Sequence, residues 1–156
     1  FPFSRIELGM EGREPGYRLR SKTKGEDDRA VAVYVTFPCD PKAATLTEEL
    51  LRPVIELVRG LDRPSRMLCY VGGGFGKPCE VVKSPFFGGV NGMIIIRNKT
   101  DPVGGWIMER VNVVTDHKGA FGITPIATSH VLVGADSDDT RTRNRAFVRN
   151  ISFVPK

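Results

Sequence analysis

The chain has 156 residues, of which 40% are hydrophobic and 26% are charged, with a formal charge of +5 and a pI near 9.3. This length predicts one domain with a buried core, and no apolar run approaches the roughly 20 residues that span a bilayer. The basic balance favours anionic partners such as nucleic acid, anionic glycans or a membrane surface. With two histidines and no Cys-x-x-Cys pair, the sequence contains no recognisable metal site, and we expect no cofactor.

The single domain, residues 1–156, is predicted to have an irregular start and an ordered remainder. Residues 1–29 are charged and rich in turn residues, and we expect at most a short hairpin around residues 16–20. Residues 30–154 should form the helix-plus-sheet core. Within them, Ala30–Phe37 is rich in β-branched residues and alternates, which predicts a strand. Its core-facing side chains would be those of Val31, Val33, Val35 and Phe37.

One helix is predicted between Thr45 and Gly60. The run Thr45-Leu46-Thr47-Glu48 is typical of a capping box, and Gly60 is typical of a helix end. Pro53 interrupts the pattern, so the helix either kinks there or begins close to it. The apolar residues that recur at helical spacing are Leu46, Leu50, Val54, Leu57, Val58 and Leu61.

After the helix the pattern becomes that of strands separated by glycine and proline turns. The predicted strands are Met67–Val71, Glu80–Val82, Gly92–Arg97, Trp106–Val114, Ile126–Val133 and Ala146–Val154. One helix followed by several strands with short connections predicts an α+β fold, in which one main helix packs on a twisted, mainly antiparallel sheet.

The cysteines and the start of the chain favour a secreted protein. Cys69 and Cys79 could close the glycine-rich loop between them as a disulfide, and Cys39–Cys69 is the alternative pair. The first residue is not Met, which fits a removed signal peptide or a trimmed chain. Asn98 and Asn150 each lie in a pattern that accepts N-linked glycans, which agrees with secretion.

A row of arginines leads into the last predicted strand and is the strongest functional signal. Guanidinium groups that merge into an aromatic surface suit phosphate-bearing polymers. If the stretch is extended, one face carries Arg141, Arg143, Arg145, Phe147, Arg149, Ile151 and Phe153. The alternative is a solvated loop in which three upstream residues, Asp136, Asp138 and Asp139, neutralise the arginines. Bases could stack on Trp106, Tyr70 or Phe147.

A carboxylate and two histidines are candidates for catalysis. Glu109 alternates with apolar residues on its predicted strand, and an apolar face would raise its pKa and suit it as a general base. The alternative for Glu109 is an edge position or a salt bridge. His117 is expected in an exposed hairpin turn, and His130 is expected to be a buried or half-buried structural residue. Neither histidine has a nucleophile motif around it.

These elements resemble the small secreted fungal ribonucleases of the T1 type and their catalytically degraded, ribonuclease-like effector relatives in plant-pathogenic fungi. The resemblance rests on the aromatic-x-Cys element Phe37-Pro38-Cys39, the helix, the antiparallel strands and two motifs. Trp106-Ile107-Met108-Glu109 is similar to the family's base-bearing strand, and Gly134-Ala135-Asp136 with the following arginines is similar to its phosphate-binding segment. The family's Tyr-x-His before the glutamate strand, its final catalytic histidine and its closing cysteine have no counterpart.

The resemblance implies binding more than turnover, because Glu109 has no convincing acid partner. The leading hypothesis is a secreted, basic effector or binding module for RNA, another anionic polymer or a host protein. This hypothesis includes delivery of the protein into a host cell. One alternative is an active ribonuclease or other hydrolase that uses Glu109 as base and His117 or His130 as acid. Another is a protein-interaction domain that presents Ala30–Phe37 or Met93–Ile96 as an exposed strand edge.

Overall fold

The computed structural model describes residues 3–11, 29–38, 64–72, 79, 81–83, 90–97, 101–102, 104–136 and 145–154. Several predicted features lie outside these residues. They are the helix Thr45–Gly60, the hairpin around residues 16–20, Cys39, Asn98, Arg141 and Arg143.

The described residues form strands arranged in two sheets, together with a helix. In chain order they are β1 Phe3–Glu11, β2 Arg29–Pro38, β3 Pro64–Gly72, β4 Val81–Lys83, β5 Asn91–Arg97, β6 Trp106–Val111, α1 Val113–Phe121, β7 Val131–Asp136 and β8 Arg145–Val154. The five-stranded sheet has the order β4-β5-β3-β2-β7, and the three-stranded sheet has the order β6-β1-β8. All pairs are antiparallel except β3 with β5. The α+β class is therefore confirmed.

The five-stranded sheet is buried on both faces over its central strands. On β2, Val31, Val33 and Val35 face the main core with Phe37, while Ala32 and Thr36 point to the other face and are equally buried. A strand that is covered on both sides needs apolar residues at every position, which explains the continuous run of this segment. The predicted core face of β2 is confirmed.

The three-stranded sheet packs one face on this core. Ala146, Val148, Ile151 and Phe153 of β8 contact the apolar face of the five-stranded sheet, and Val111 of β6 is buried in the same cluster. Helix α1 packs against both sheets, with Val113 buried. Its close approach to β5 favours a glycine, because a Cβ at Gly92 would lie 3.0 Å from the Cβ of Ala120, and the helix would have to shift by a few tenths of an ångström.

Val113–Phe121 forms a helix, where the sequence predicts the end of a strand and a hairpin turn. The β-branched run around Val113 and Val114 favours a strand, but local caps decide otherwise. The side chain of Asn112 accepts a hydrogen bond from the Thr115 amide at 3.1 Å. Gly122 ends the helix at φ 78, with its amide donating to the Lys118 carbonyl. The predicted strand Trp106–Val114 therefore ends at Val111.

Two other strands differ from the predictions. Strand β7 begins at Val131 rather than Ile126, because the Thr36 hydroxyl accepts the His130 amide at 3.0 Å in place of a backbone partner. Phe3–Glu11 is a strand at the centre of the three-stranded sheet, where the sequence predicts irregular structure. Its length allows pairing on both sides, with β6 and with β8.

The edge strands differ from those that the sequence favours. Ala30–Phe37 lies in β2 and Met93–Ile96 lies in β5, and both are interior strands of the five-stranded sheet. Their backbone groups are already paired on two sides, so neither can present an edge to a partner. Within the described residues, the sheet edges are β4, β7, β6 and β8.

Candidate functional site

The outward face of the three-stranded sheet carries a cluster of large exposed side chains, which we call the aromatic surface: Trp106, Met108, Phe147 and Arg149. Trp106 is 48% exposed, and Met108 and Phe147 are each 47% exposed. Strand alternation on β6 sends Trp106 and Met108 outward, while Ile107 lies on the opposite, half-buried face. Apolar side chains this exposed and grouped together mark an interaction site more often than scattered ones do.

A glycine on the central strand lets the two rings meet. Gly9 of β1 is paired with Trp106 on one side and with Phe147 on the other. Because glycine has no side chain, nothing from this position separates the two aromatic groups. The ring centroids of Trp106 and Phe147 lie 6.3 Å apart at 53°, which is within the usual range for an aromatic pair.

Arg149 lies flat against the indole. Its guanidinium carbon is 3.9 Å from the centroid of the Trp106 ring. This stacking uses the face of the guanidinium. Its five N–H donors lie in the plane of the group and can bind more than one partner. The arrangement combines a cation with two aromatic rings. The cation is held in place by a ring of the same sheet.

A β-bulge decides which side of β8 faces outward. The pairing with β1 passes from Glu7↔Arg149 to Arg5↔Ser152, and Asn150 adopts a left-handed conformation with φ 54. Strict alternation would place the side chains before and after Asn150 on one face. The bulge separates them. Ile151 and Phe153 turn to the core, while Phe147 and Arg149 stay outside. The predicted single face from Arg141 to Phe153 is wrong at this point.

Of the remaining arginines, Arg145 starts β8 and is exposed. It shares the outward parity of Phe147 and Arg149, as the sequence predicts. Arg141 and Arg143 lie outside the described residues, so their predicted role stays a prediction.

Glu109 lies on the other face of the sheet from Arg149. It alternates with Ile107 and Val111 on the half-buried side of β6 and forms an ion pair with Arg97 of β5. The pair links the two sheets, which is a structural role. The salt-bridge alternative for Glu109 is the one that the structure shows, and its predicted use as a base beside the arginines has no geometric support.

His117 is buried, where the sequence predicts an exposed turn. It lies on α1, its ring contacts Phe37 at 4.4 Å and Phe121 at 4.8 Å, and its Nδ1 is 2.8 Å from the Ile123 carbonyl oxygen. Burial lowers the pKa of His117, and the positive charge of Arg66 lowers it further. His117 is therefore a core residue and not an accessible acid.

His130 is half-buried, as the sequence predicts, and its backbone is held by Thr36 of β2. Its Nδ1 is buried and has no hydrogen-bond partner among the described residues. Glu109 lies in the three-stranded sheet, and no hydrogen bond joins it to His130 in the described structure. The predicted acid–base pair is not assembled.

Tyr70 is fully buried, so it cannot stack on a base as predicted. Its hydroxyl donates a hydrogen bond to Asp116 Oδ2 at 2.9 Å. Burial raises the pKa of Tyr70, and the neighbouring Asp116 carboxylate raises it further. Burial also raises the pKa of Asp116, against the opposing effect of the Tyr70 hydrogen bond. This pair joins α1 to β3 and lies in the core.

The predicted disulfide between Cys69 and Cys79 is absent, because both thiols are free. Cys69 is buried in β3 and is paired with Tyr34 of β2, whereas Cys79 is exposed at φ 65 with its amide bonded to the Ile95 carbonyl. Since Cys69 is free, the alternative pair Cys39–Cys69 is also wrong. Burial raises the pKa of Cys69 to about 12.

The comparison with known families assigns the chain. The family described as "Protein of unknown function (DUF3047)" matches residues 15–152. The chain belongs to the DUF3047 family. No curated protein and no solved structure matches it. The DUF3047 match covers Trp106, Phe147 and Arg149 but begins after β1, and its description names no activity.

Two further properties concern ligands and membranes. Within the described ranges, no group of three or more His, Cys, Asp or Glu side chains is placed to hold a metal ion. No helix in the same part of the DUF3047 chain is long and apolar enough to cross a membrane.

Two members of the site escape sequence reasoning. Met108 looks like an ordinary strand residue, and only its alternation with Trp106 could have placed it on the exposed face. Gly9 lies in a segment predicted to be irregular, and its role depends on being paired with Trp106 and Phe147 at once. No local signal in the sequence indicates that Gly9 pairs with both residues.

Proposed function

We propose that this chain is a non-catalytic binding module for single-stranded RNA, which it holds on the aromatic surface. The single observation that carries the proposal is the stacking of Arg149 on Trp106 at 3.9 Å, with Phe147 beside them. Bases stack on exposed aromatic rings and on guanidinium planes, and each such base contributes about 1–3 kcal/mol to binding.

The charges agree with a polyanionic ligand. Arg145 and Arg149 lie on the same outward side of β8 as Phe147, and the chain carries a net charge of +5. Phosphate contacts by such arginines release counterions, so the affinity should fall steeply as salt is raised. An apolar ligand held by the rings alone would show the opposite or no dependence.

The positions of the titratable groups support binding without catalysis. RNA cleavage needs a base and an acid beside the same phosphate. Glu109 is paired with Arg97 on the opposite side of the sheet, and His117 is enclosed in the core. We therefore propose binding alone, and the ribonuclease resemblance contributes the expected ligand and not a mechanism.

The chain has one tryptophan, so the fluorescence of Trp106 reports directly on the proposed site. Titration with an oligouridylate should quench this emission with a saturable curve. The Phe147→Ala and Arg149→Gln variants should each bind about tenfold more weakly, since one stacking or stacked-cation contact is lost. An emission unchanged at saturating RNA would refute the proposal.

The matched control is Lys118→Gln, which removes one positive charge from the exposed side of α1, away from the aromatic surface. It should change the affinity by less than about twofold at moderate salt, because charges further apart than a Debye length of about 8–10 Å are largely screened. Equal losses for Arg149→Gln and Lys118→Gln would show that only net charge matters. Incubation of the protein with labelled RNA should leave the RNA intact, and cleavage that disappears in Glu109→Gln would restore the enzyme alternative.

We also propose, from the same resemblance, that the protein is secreted and acts as an effector on a host. Immunoblotting of cells and culture medium tests the first part. Protein confined to the cell fraction would remove both the secreted location and the effector role, while RNA binding would remain to be judged by its own titration.

A second candidate function is protein interaction through β7. Three consecutive apolar residues of this edge strand, Val131, Leu132 and Val133, are 36%, 36% and 54% exposed. These three residues carry no charge and include no proline, and such a stretch of edge invites pairing with another strand. Sedimentation at rising protein concentration should then show an increase in mass, which Val133→Lys abolishes. A constant mass would leave the RNA proposal as the sole candidate.

A further inference from the structure

A groove of about 690 Å³ opens between two sheet edges, β7 of the five-stranded sheet and β8 of the three-stranded sheet. Its floor is the side of the core that the smaller sheet leaves uncovered. The apolar residues that form this floor are Val31, Val133, Ala146, Val148 and Ile151. The volume is within the usual range of about 300–1,000 Å³ for small-molecule sites.

Two β-bulges meet at this groove. In the β2–β7 pair the register passes from Arg29↔Asp136 to Ala32↔Gly134, so that two residues of β2 oppose Ala135 alone. In the β1–β8 pair the bulge falls at Asn150 and Ile151. Ala135 and both residues of the β8 bulge line the groove. Bulges occur preferentially at sheet edges and beside binding sites, where they redirect side chains.

Polar groups lie along the β8 side of the groove. Arg145, Arg149 and Asn150 line it, and Asn150 holds the positive φ of 54 that the bulge requires. Residues kept in such conformations are concentrated at functional sites. Arg149 also stacks on Trp106, so this single side chain joins the groove to the aromatic surface across the β8 edge.

We propose that the groove binds one nucleotide of the RNA strand whose neighbouring bases stack on Trp106 and Phe147. This inference rests on the proposed function and adds a second subsite to it. The apolar floor takes the face of the base, the amide of Asn150 meets its polar edge, and Arg145 and Arg149 contact the flanking phosphates. Each guanidinium has five N–H donors, enough to bind a phosphate together with other partners.

The experiment compares a short and a longer ligand, because a dinucleotide whose bases stack on Trp106 and Phe147 is too short to fill the groove as well. Diuridylate and hexauridylate are titrated against the protein, with Trp106 emission as the signal. The hexamer contains five overlapping dinucleotides, so its affinity should be about fivefold higher than that of diuridylate for statistical reasons alone. Occupation of the groove should add about tenfold more, which corresponds to one well-held base.

Ala135→Phe fills the groove from β7 without touching Trp106. In this variant the hexamer should keep only the statistical gain, while diuridylate binds as it does to the wild type. The matched control is Ala127→Phe, which makes the same change at an exposed alanine that does not line the groove. Ala127→Phe should bind both ligands normally.

A second variant covers the case in which Ala135→Phe does not fold. Asn150→Gly tolerates the positive φ and removes the side chain with its amide, so it should lower hexamer affinity about fivefold and leave diuridylate unaffected. A wild-type advantage of the hexamer that persists in both variants overturns the groove subsite while the aromatic surface stands. Loss of diuridylate quenching in the wild type instead removes the proposed function itself.

Discussion

The two sheets of this protein differ in how many of their faces are buried. The five-stranded sheet is buried on both faces of β2 and β3, and its aromatic residue Tyr70 is fully enclosed. The three-stranded sheet is buried on one face only, and its Trp106 and Phe147 stay about half exposed. Burial on two faces stabilises a fold, whereas a sheet with one open face can also bind.

The comparison shows that residue type alone does not identify a binding residue. Tyr70 and Trp106 both look like stacking residues in the sequence, yet one hydrogen-bonds Asp116 in the core and the other carries Arg149 on the surface. The difference lies in the position of each strand. β3 is interior and covered, while β6 is an edge strand with an exposed face.

The largest expected contrast concerns the free thiols of the two regions. With Cys39→Ser and Cys79→Ser, Cys69 is the remaining thiol; with Cys39→Ser and Cys69→Ala, it is Cys79. Cys69 should react with a disulfide reagent at least about a thousandfold more slowly, since its exposure requires unfolding that costs on the order of 5–15 kcal/mol. Burial also raises the pKa of Cys69 to about 12, which keeps it a thiol near neutral pH. Similar rates for the two variants would contradict the buried placement of β3.

The next contrast pairs two phenylalanines. Phe37 is 2% exposed and packs against the His117 ring, so Phe37→Ala should lower the free energy of unfolding by about 3–5 kcal/mol. Phe147 is 47% exposed, and Phe147→Ala should cost less than about 1 kcal/mol. Urea denaturation measures both. A larger loss for Phe147→Ala than for Phe37→Ala would reverse the roles assigned to the two sheets.

Two glycines test the packing of α1 on the five-stranded sheet. A side chain at Gly92 would collide with Ala120, so Gly92→Val should destabilise the fold by about 1–3 kcal/mol. Gly119 is inside α1 and faces open space, so Gly119→Ala should stabilise it by about 0.5–1 kcal/mol. Thermal unfolding should move in opposite directions for the two variants, and a shared direction would argue against the position of the helix.

The smallest expected effect is a pH dependence from the buried side of α1. Burial lowers the pKa of His117 below 6.5, so the unfolded chain takes up a proton that the folded chain does not. This contribution to stability is complete above about pH 6.5 and is lost as the pH falls below that value. Denaturation midpoints of wild type and His117→Gln should converge as the pH is lowered.

Asp116 acts in the opposite sense at lower pH. Burial raises its pKa above 3.8, so the folded chain binds a proton more readily than the unfolded chain as the pH approaches that range. The measurements for His117 therefore belong above pH 5. A wild-type slope that survives in His117→Gln would show that another group carries it.

Several elements follow from local patterns, and others do not. Ala30–Phe37 was predictable because it is rich in β-branched residues and almost wholly apolar, as suits a strand that is covered on both faces. Helix α1 was not, because Val111, Val113 and Val114 favour a strand more strongly than Asn112 and Gly122 suggest a helix. The cap signals were present in the sequence, and the caps together with the packing of Val113 and His117 decided in favour of a helix.

The candidate site shows the same division. The exposure of Arg145, Phe147 and Arg149 on β8 agrees with the sequence pattern. The bulge at Asn150 was not predictable, because it depends on how β8 pairs with a strand more than one hundred residues earlier. The ion pair of Glu109 with Arg97 likewise requires two sheets to be stacked before the side chains can meet.

By itself, the sequence determined the basic charge, the α+β class and most of the strands, because these depend on composition and on alternation within short segments. The tertiary structure alone decided that Trp106 and Arg149 stack, that Tyr70 and His117 are buried, and that two bulges open onto one groove. The physical reason is that burial and side-chain contact depend on which strands become neighbours. In this chain the strand between Trp106 and Phe147 comes from its first eleven residues.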